Sequence, residues 1–189
     1  MGMTLVAVGR DHESLACFSG NHLEGVSTSV LLSNVHNEPL SVIGNRYLDM
    51  AGAHVVGLVH ADTWFGPGAL ETFERVAAAG AVCGIVGRDI DGVYRWANVN
   101  PGPVSTLDCC GIFLRADLGL RFDEKLCTSF HMHAEDLCLQ AHKAGIPVVV
   151  PSAKAGHYGI GSRGAWAEEY ARFRRALVAK WPGMKFATN

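Results

Sequence analysis

The chain has 189 residues, of which 49% are hydrophobic and 18% charged, with 16 Lys+Arg against 18 Asp+Glu. That length and composition describe one folded domain with a single core and exclude both intrinsic disorder and a strongly basic nucleic-acid binder. The net charge of -2 supplies no long-range field for a polyanion. The longest uncharged apolar run, Val76 to Gly87, is broken by glycines and falls well short of the roughly 20 residues a membrane-spanning helix needs.

In chain order, Leu5 to Val8 and Val30 to Asn34 are short apolar runs closed by polar or glycine residues, as are Val55 to Val59 and Ala81 to Val86, and each reads as a buried strand. Helical spacing separates them. Ser41 to Ala51 places Val42, Tyr47 and Leu48 near one face, and Ala69 to Ala79, ended by Gly80, does the same with Leu70, Phe73 and Val76. Beyond Gly87 the residues Asp89, Asp91-Gly92, Asn98 and Pro101-Gly102-Pro103 punctuate hairpins and loops instead of crossovers. Gly111 to Leu114 reads as a strand, Ala134 to Ala144 as a helix stopped by Gly145, and Val148 to Val150 as a strand between prolines. A glycine-rich loop, Gly156 to Gly164, precedes a last helix, Ala165 to Trp181. Its stripe of Trp166, Tyr170, Phe173, Leu177 and Trp181 is expected on the sheet, with Arg172, Arg174, Arg175 and Lys180 on a solvated face. The alternation predicts an α/β fold: a single Rossmann-like domain with a mixed, mostly parallel sheet flanked by helices. Residues 1–164 form its body and 165–189 an amphipathic helix packed on it.

No basic start leads into an apolar run and cleavage site, and Val6 stands where a myristoylation signal wants Ser or Thr, so the expected location is cytoplasmic. Cys17, Cys83, Cys109, Cys110, Cys127 and Cys138 contain no Cys-x-x-Cys pair and are expected to be reduced and mostly buried.

Four segments carry candidate chemistry. The apolar run Val55 to Val59 ends in His60-Ala61-Asp62 before Trp64, and strand ends are where α/β folds place ligands. Two residues apart, His60 and Asp62 point the same way in an extended chain and can share a divalent ion; the alternative is an Asp that caps the next helix. In His131-Met132-His133-Ala134-Glu135-Asp136, acids crowd a helix start, where Glu135 or Asp136 serves either as a general base or only as a partner of the helix dipole. His131 and His133 share one side of an extended segment and are a weaker metal candidate. His157 precedes the Gly159-Ile160-Gly161-Ser162-Arg163 loop, in which glycines permit close approach to phosphate and Arg163 can pair with it. Asp108, before Cys109-Cys110-Gly111, is a polar residue at a strand start.

In this order, over Val30 to Gly161, these segments resemble the GT-A glycosyltransferases, particularly their family 2-like group. Leu58-Val59-His60-Ala61-Asp62 is similar to the family's Asp-x-Asp motif, with His60 in place of the first acid. Ser41 to Ala51, with Asn45 and Arg46, resembles the helix that carries an Asn or Arg near the nucleotide. Thr106 to Arg115 resembles the strand near the donor and acceptor sugars, and Arg121-Phe122-Asp123-Glu124 resembles its Gly-Phe-Asp-Glu. Asp136 to Gly145 looks like the helix of the Glu-Asp-x-Asp-Leu-x-x-Arg motif, in which Ala134 or Asp136 occupies the basic position according to register.

The resemblance implies that Asp62, His157 and His60 hold Mn2+ or Mg2+ on the donor diphosphate. It also implies that Asn34, Asn45, Arg46, Trp64, Asp108 and Arg163 border the nucleotide sugar, and that Asp136, with Glu135 in reserve, is the general base. The implied reaction is metal-dependent, inverting transfer of a hexose from a nucleoside diphosphate sugar, by default a UDP-sugar, to an acceptor hydroxyl. Acceptors in keeping with so short a chain are a saccharide, a lipid-linked sugar, a protein or a modified nucleic-acid base. His60 and Ala134 at positions usually acidic keep open a catalytically inactive nucleotide-sugar-binding domain, and nine histidines keep open a zinc-binding hydrolase.

Overall fold

The apolar run Met3–Gly9 forms β1, buried at every position but Thr4. The structure, a computed structural model, describes residues 2–9, 11–52, 54–129, 133–159 and 167–187. After β1 come a short helix, His12–Phe18 (α1), the strand Val26–Ser33 (β2) and the helix Leu40–Ala51 (α2). Next are Val55–His60 (β3), Thr63–Phe65 (β4), the helix Ala69–Ala78 (α3), Val82–Gly84 (β5), Val86–Arg88 (β6) and Tyr94–Trp96 (β7). Gly102–Pro103 (β8), Thr106–Leu107 (β9) and Gly111–Arg115 (β10) follow, then His133–Lys143 (α4), Val148–Val150 (β11), Ala155–His157 (β12) and Ala167–Lys180 (α5).

The main sheet has the order β2-β1-β3-β10-β5-β11-β8. β1 runs parallel to β2 and β3, and β5 parallel to β11, while β10 is antiparallel to both β3 and β5 and β8 antiparallel to β11. The predicted mixed, mostly parallel sheet is therefore present. Two small sheets, β12-β4 and β7-β6-β9, accompany it. Ala81 to Val86, read as one strand, divides at Ile85: β5 stays in the main sheet and β6 leaves to pair with β7 and β9. α1 was not anticipated, because seven residues with only Phe18 buried make no apolar stripe; its signal is the cap, in which Asp11 accepts the Ser14 N–H at 2.8 Å.

The core is centred on rings between α3 and the sheet. Phe73 stacks on Phe113 with centroids 4.4 Å apart, and Phe65 meets both edge-on at 6.2 Å. The six cysteines are thiols, four of them buried.

The last helix docks differently from expectation. Phe173 and Leu177 bury against Leu139 of α4 in a cluster separate from the main core, flanked by Leu126, Tyr170, Trp181, Met184 and Phe186. α4 lies between α5 and the sheet, its Cys138 Sγ accepting the Leu107 N–H at 3.3 Å, so the apolar stripe meets a helix first. Lys180 likewise leaves the solvated face to bond two carboxylates, Asp123 at 2.7 Å and Asp136 at 2.8 Å. Trp166 lies outside the described residues.

The bend between β5 and β6 has no room for a side chain, since a Cβ at Gly84 would sit 2.7 Å from the Gly111 carbonyl oxygen and 2.8 Å from Leu107. Gly84→Ala is expected to destabilise the fold by about 1–3 kcal/mol and lower the midpoint of thermal unfolding by roughly 2–10 °C. Circular-dichroism melting of the two proteins checks it.

Candidate active site at the carboxyl edge of the sheet

β3 delivers His60 to the carboxyl edge, where Val8 of β1 pairs with it and Ala61 N–H closes onto Val8 O at 2.9 Å. The chain then turns, with Thr63 Oγ1 donating to His60 O at 2.8 Å, and enters β4. β12 pairs antiparallel with β4 so that His157 faces Thr63, and Tyr158 N–H donates to Asp62 O at 2.9 Å. The indole of Trp64 covers Gly156, where a Cβ would lie 2.6 Å from Nε1, so only glycine lets β12 approach this closely. Trp64 thus packs on the strand that carries His157.

The result is a three-residue donor set. His60, Asp62 and His157 offer ligand atoms that all lie within 4.8 Å of one another, with His157 Nε2 2.9 Å from Asp62 Oδ1 and the two imidazole centroids 5.5 Å apart. Burial favours the neutral His157 ring, but the hydrogen bond and charge of Asp62, joined by the charge of Asp108, outweigh it and raise its pKa above the usual imidazole value. Two imidazoles and one carboxylate suit a first-row divalent cation, and three protein ligands leave coordination positions for further oxygen ligands or water. Asp62 does not cap a helix: α3 begins at Gly68 with no side-chain cap.

Asp108 joins this cluster to a second one. Its N–H donates to Val86 O at 2.9 Å and its Oδ1 accepts the Cys110 N–H at 3.1 Å, which fixes it between β9 and β10. It acts electrostatically on both His157 and Glu135. Glu135, in the first turn of α4, is 3% exposed. Burial, then the charge of Asp108, pushes its carboxyl up to about 8, against the partial relief of its own backbone N–H and of Tyr170. Tyr170 Oη donates to Glu135 Oε1 at 3.4 Å, while the buried Oε2 has no hydrogen-bond partner among the described residues.

Asp136 was expected to be the base, and the structure gives it other work. Fully buried, it accepts hydrogen bonds from Trp181 Nε1 at 2.8 Å, from Gln140 Nε2 at 2.8 Å and from Lys180. Adjacent helical residues point about 100° apart, so Glu135 lies toward Asp108 and Tyr170 near the start of α5, whereas Asp136 lies toward Lys180 and Trp181 at its end.

The other expected donor residues divide. Asn34 sits at the carboxyl edge, its N–H bonded to Gly9 O at 2.8 Å, but its side-chain amide closes the following turn, giving to Glu38 O and accepting Glu38 N–H, each at 2.8 Å. Asn45 pins the Arg121–Glu124 segment through Phe122 O, Phe122 N–H and Glu124 Oε1 at 2.8–2.9 Å. Arg46 is exposed and ion-paired with Glu38. Neither α2 residue is brought to the acidic and imidazole cluster. His133 is buried against the Phe122 ring, with centroids 5.6 Å apart, and takes no part in the donor set. His131 and Arg163 lie outside the described residues. Tyr170 was assigned only to packing; a phenol in an otherwise apolar stripe is the signal that pointed further.

No protein-family model and no curated protein matches this sequence. Solved structures do match its fold. GalNAc-T7 crystallised with UDP, GalNAc and Mn2+ superposes with a TM-score of 0.63 at 9% identity, covering 95% of this chain and 48% of that one. TarS 1-349 from S. aureus gives 0.57 at 11% identity over 95% of this chain and 65% of that one. A197 from STIV gives 0.55 at 16% identity over 84% and 86%. The chain therefore spans about half of the GalNAc-T7 structure and most of A197, and its fold is the GT-A glycosyltransferase type.

The Glu135 carboxyl titrates near 8 when folded and near its ordinary 4.5 when unfolded. Between those values the native state holds a proton that the unfolded chain has lost, so stability falls as pH rises through the window and levels off above it. Melting temperatures of wild type and Glu135→Gln are expected to separate progressively from pH 5 to pH 8, in favour of the variant, and to run parallel beyond.

Proposed function

We propose that this chain is a metal-dependent, inverting glycosyltransferase that moves a hexose from a UDP-sugar to an acceptor hydroxyl. The observation that carries this reading is the convergence of His60, Asp62 and His157 with Asp108 and Glu135 along one edge of a GT-A-type sheet. GalNAc-T7, which shares the fold, was crystallised with UDP and Mn2+, in keeping with a nucleotide-sugar donor here. A divalent cation held by the His-Asp-His set supplies positive charge against the diphosphate as it leaves.

The protein's own groups do the remaining work. Glu135, a partly dry carboxyl whose proton affinity lies close to neutral pH, accepts the proton of the attacking hydroxyl. The hydroxyl oxygen bonds to the anomeric carbon as the bond to the diphosphate breaks on the opposite face, and the sugar inverts. Asp108 acts on both His157 and Glu135, and its side of the cluster is the one we assign to the transferred sugar. Asp136 is a positioning residue: with Lys180 and Trp181 it fixes the helix turn that presents Glu135. Asn34 borders the nucleoside through its place at the sheet edge, two strands and about 10 Å from His60. No described helix is long and apolar enough to cross a membrane, and the acceptor is left as any hydroxyl compound that reaches Glu135.

Thermal unfolding with UDP, GDP, CDP and dTDP, each with and without Mn2+, tests the donor site. UDP at a hundredfold excess over Kd is expected to stabilise by about 2.7 kcal/mol, a rise of roughly 5–10 °C that requires the metal. Asp62→Ala removes that rise; an unchanged rise in the variant refutes the metal assignment.

UDP release in the presence of acceptor separates the two neighbouring acids. Glu135→Gln is expected to lose at least about 100-fold in rate while still binding UDP. Asp136→Asn is expected to lose about 2 kcal/mol of stability and to keep measurable transfer. A normal rate in Glu135→Gln overturns its role.

A further inference from the structure

Among the described residues, one side-chain donor holds Glu135. The titratable groups that face it, again among the described residues, are Asp108 and Cys109 from the turn before β10, Cys127 ahead of α4, Cys138 on the next turn of α4, and Tyr170 of α5. None of them is a cation. Tyr170 Oη is the donor that reaches the carboxyl, at Oε1, and the other oxygen stays buried with no partner among the described residues. The phenol is itself half-buried, in the stripe that contributes Phe173 and Leu177 to the α4–α5 contact. A buried phenol hydroxyl is placed where it finds a polar partner, which packing alone would not require of this position.

The far end of α5 explains how that hydroxyl is aimed. Tyr170 and Lys180 are ten residues apart, about 15 Å along the helix, yet they grip consecutive residues of α4: Tyr170 takes Glu135, while Lys180 and Trp181 take Asp136. α5 is thereby tied across the first turn of α4 at two separated points, and its rotation is set by the charged contact at the far end. We propose that Tyr170 is a positioning residue for Glu135, its hydroxyl holding Oε1 in place so that Oε2 is the oxygen that meets the substrate proton. The inference rests on the reading of Glu135 as the base and assigns α5 a part in the reaction beyond packing on α4. A hydrogen bond to the ionised carboxylate favours that form, so its loss raises the pH at which Glu135 ionises.

The test is a carbon-13 NMR titration of the side-chain carboxyl of Glu135 in the full chain, its signal assigned by its disappearance in Glu135→Gln. In Tyr170→Phe the midpoint is expected to rise, corresponding to about a three- to tenfold gain in proton affinity. Phe173→Leu loosens the same helix without touching the phenol and is expected to leave the midpoint where it was. An unmoved midpoint in Tyr170→Phe, or an equal shift in both variants, overturns the proposal. Transfer assays on Glu135→Gln keep the two ideas apart. If transfer survives while Tyr170→Phe moves the midpoint, the base is elsewhere and the positioning contact stands. If transfer is lost while the midpoint stays, Glu135 is the base and Tyr170 only packs.

Discussion

Two consecutive carboxyl groups with almost no access to water, Glu135 and Asp136, are the feature around which the C-terminal third of the molecule is arranged. A buried carboxylate is costly unless it is paired or protonated. The chain uses both solutions within one helix turn. Asp136 is paired, with an ammonium, an indole N–H and a carboxamide converging on its oxygens. Glu135 is left beside another acid with one weak donor among the described residues, and burial pushes its carboxyl up to about 8. Divergent environments for neighbouring acids are how a fold separates a structural carboxylate from a reactive one. The pairing of Asp136 also decides where α5 lies, because Lys180 and Trp181 end the helix at that carboxylate.

The other half of the site depends on backbone pairing. His60 and Asp62 come from one strand end, whereas His157 arrives from 95 residues later. A three-residue antiparallel ladder between β12 and β4 brings them together, and a strand with a side chain at Gly156 could not lie against Trp64. The imidazole of His157 is then held at Asp62 by a charge-assisted contact that survives partial burial. Asp108 stands between the two halves because β9 leaves the main sheet to pair with β6 and β10 re-enters it immediately afterwards. The bend at Gly84 and Ile85 sends β5 and β6 to different sheets and so places Asp108, whose N–H bonds Val86 O at the start of β6.

Much of this was legible in the chain itself. The strands at Met3–Gly9, Val55–His60, Gly111–Arg115 and Val148–Val150 and the helices at Leu40–Ala51, Ala69–Ala78 and His133–Lys143 follow from apolar runs and helical spacing, because burial on both faces of a parallel sheet demands uninterrupted hydrophobic residues. His60, Asp62 and His157 were legible as candidates because a polar residue at or just past the end of an apolar strand is delivered to the sheet edge, where α/β folds place ligands. The acids at a helix start likewise marked Glu135 and Asp136 as candidates.

What the sequence could not decide was which of those two acids faces the site. The answer depends on the rotation of α4, and that rotation is set by Lys180 and Trp181, more than 40 residues away in the chain. The same is true of Asn45, Arg46 and Tyr170. A family resemblance implied nucleotide contacts for the first two and helical spacing implied packing for the third, whereas tertiary contacts engage Asn45 with Phe122, Arg46 with Glu38, and turn Tyr170 onto a carboxylate. Local pattern fixes elements because hydrogen bonding and burial act over a few residues. The partner of a polar side chain is chosen by whichever groups the folded chain brings within about 3 Å, and only the assembled structure determines that.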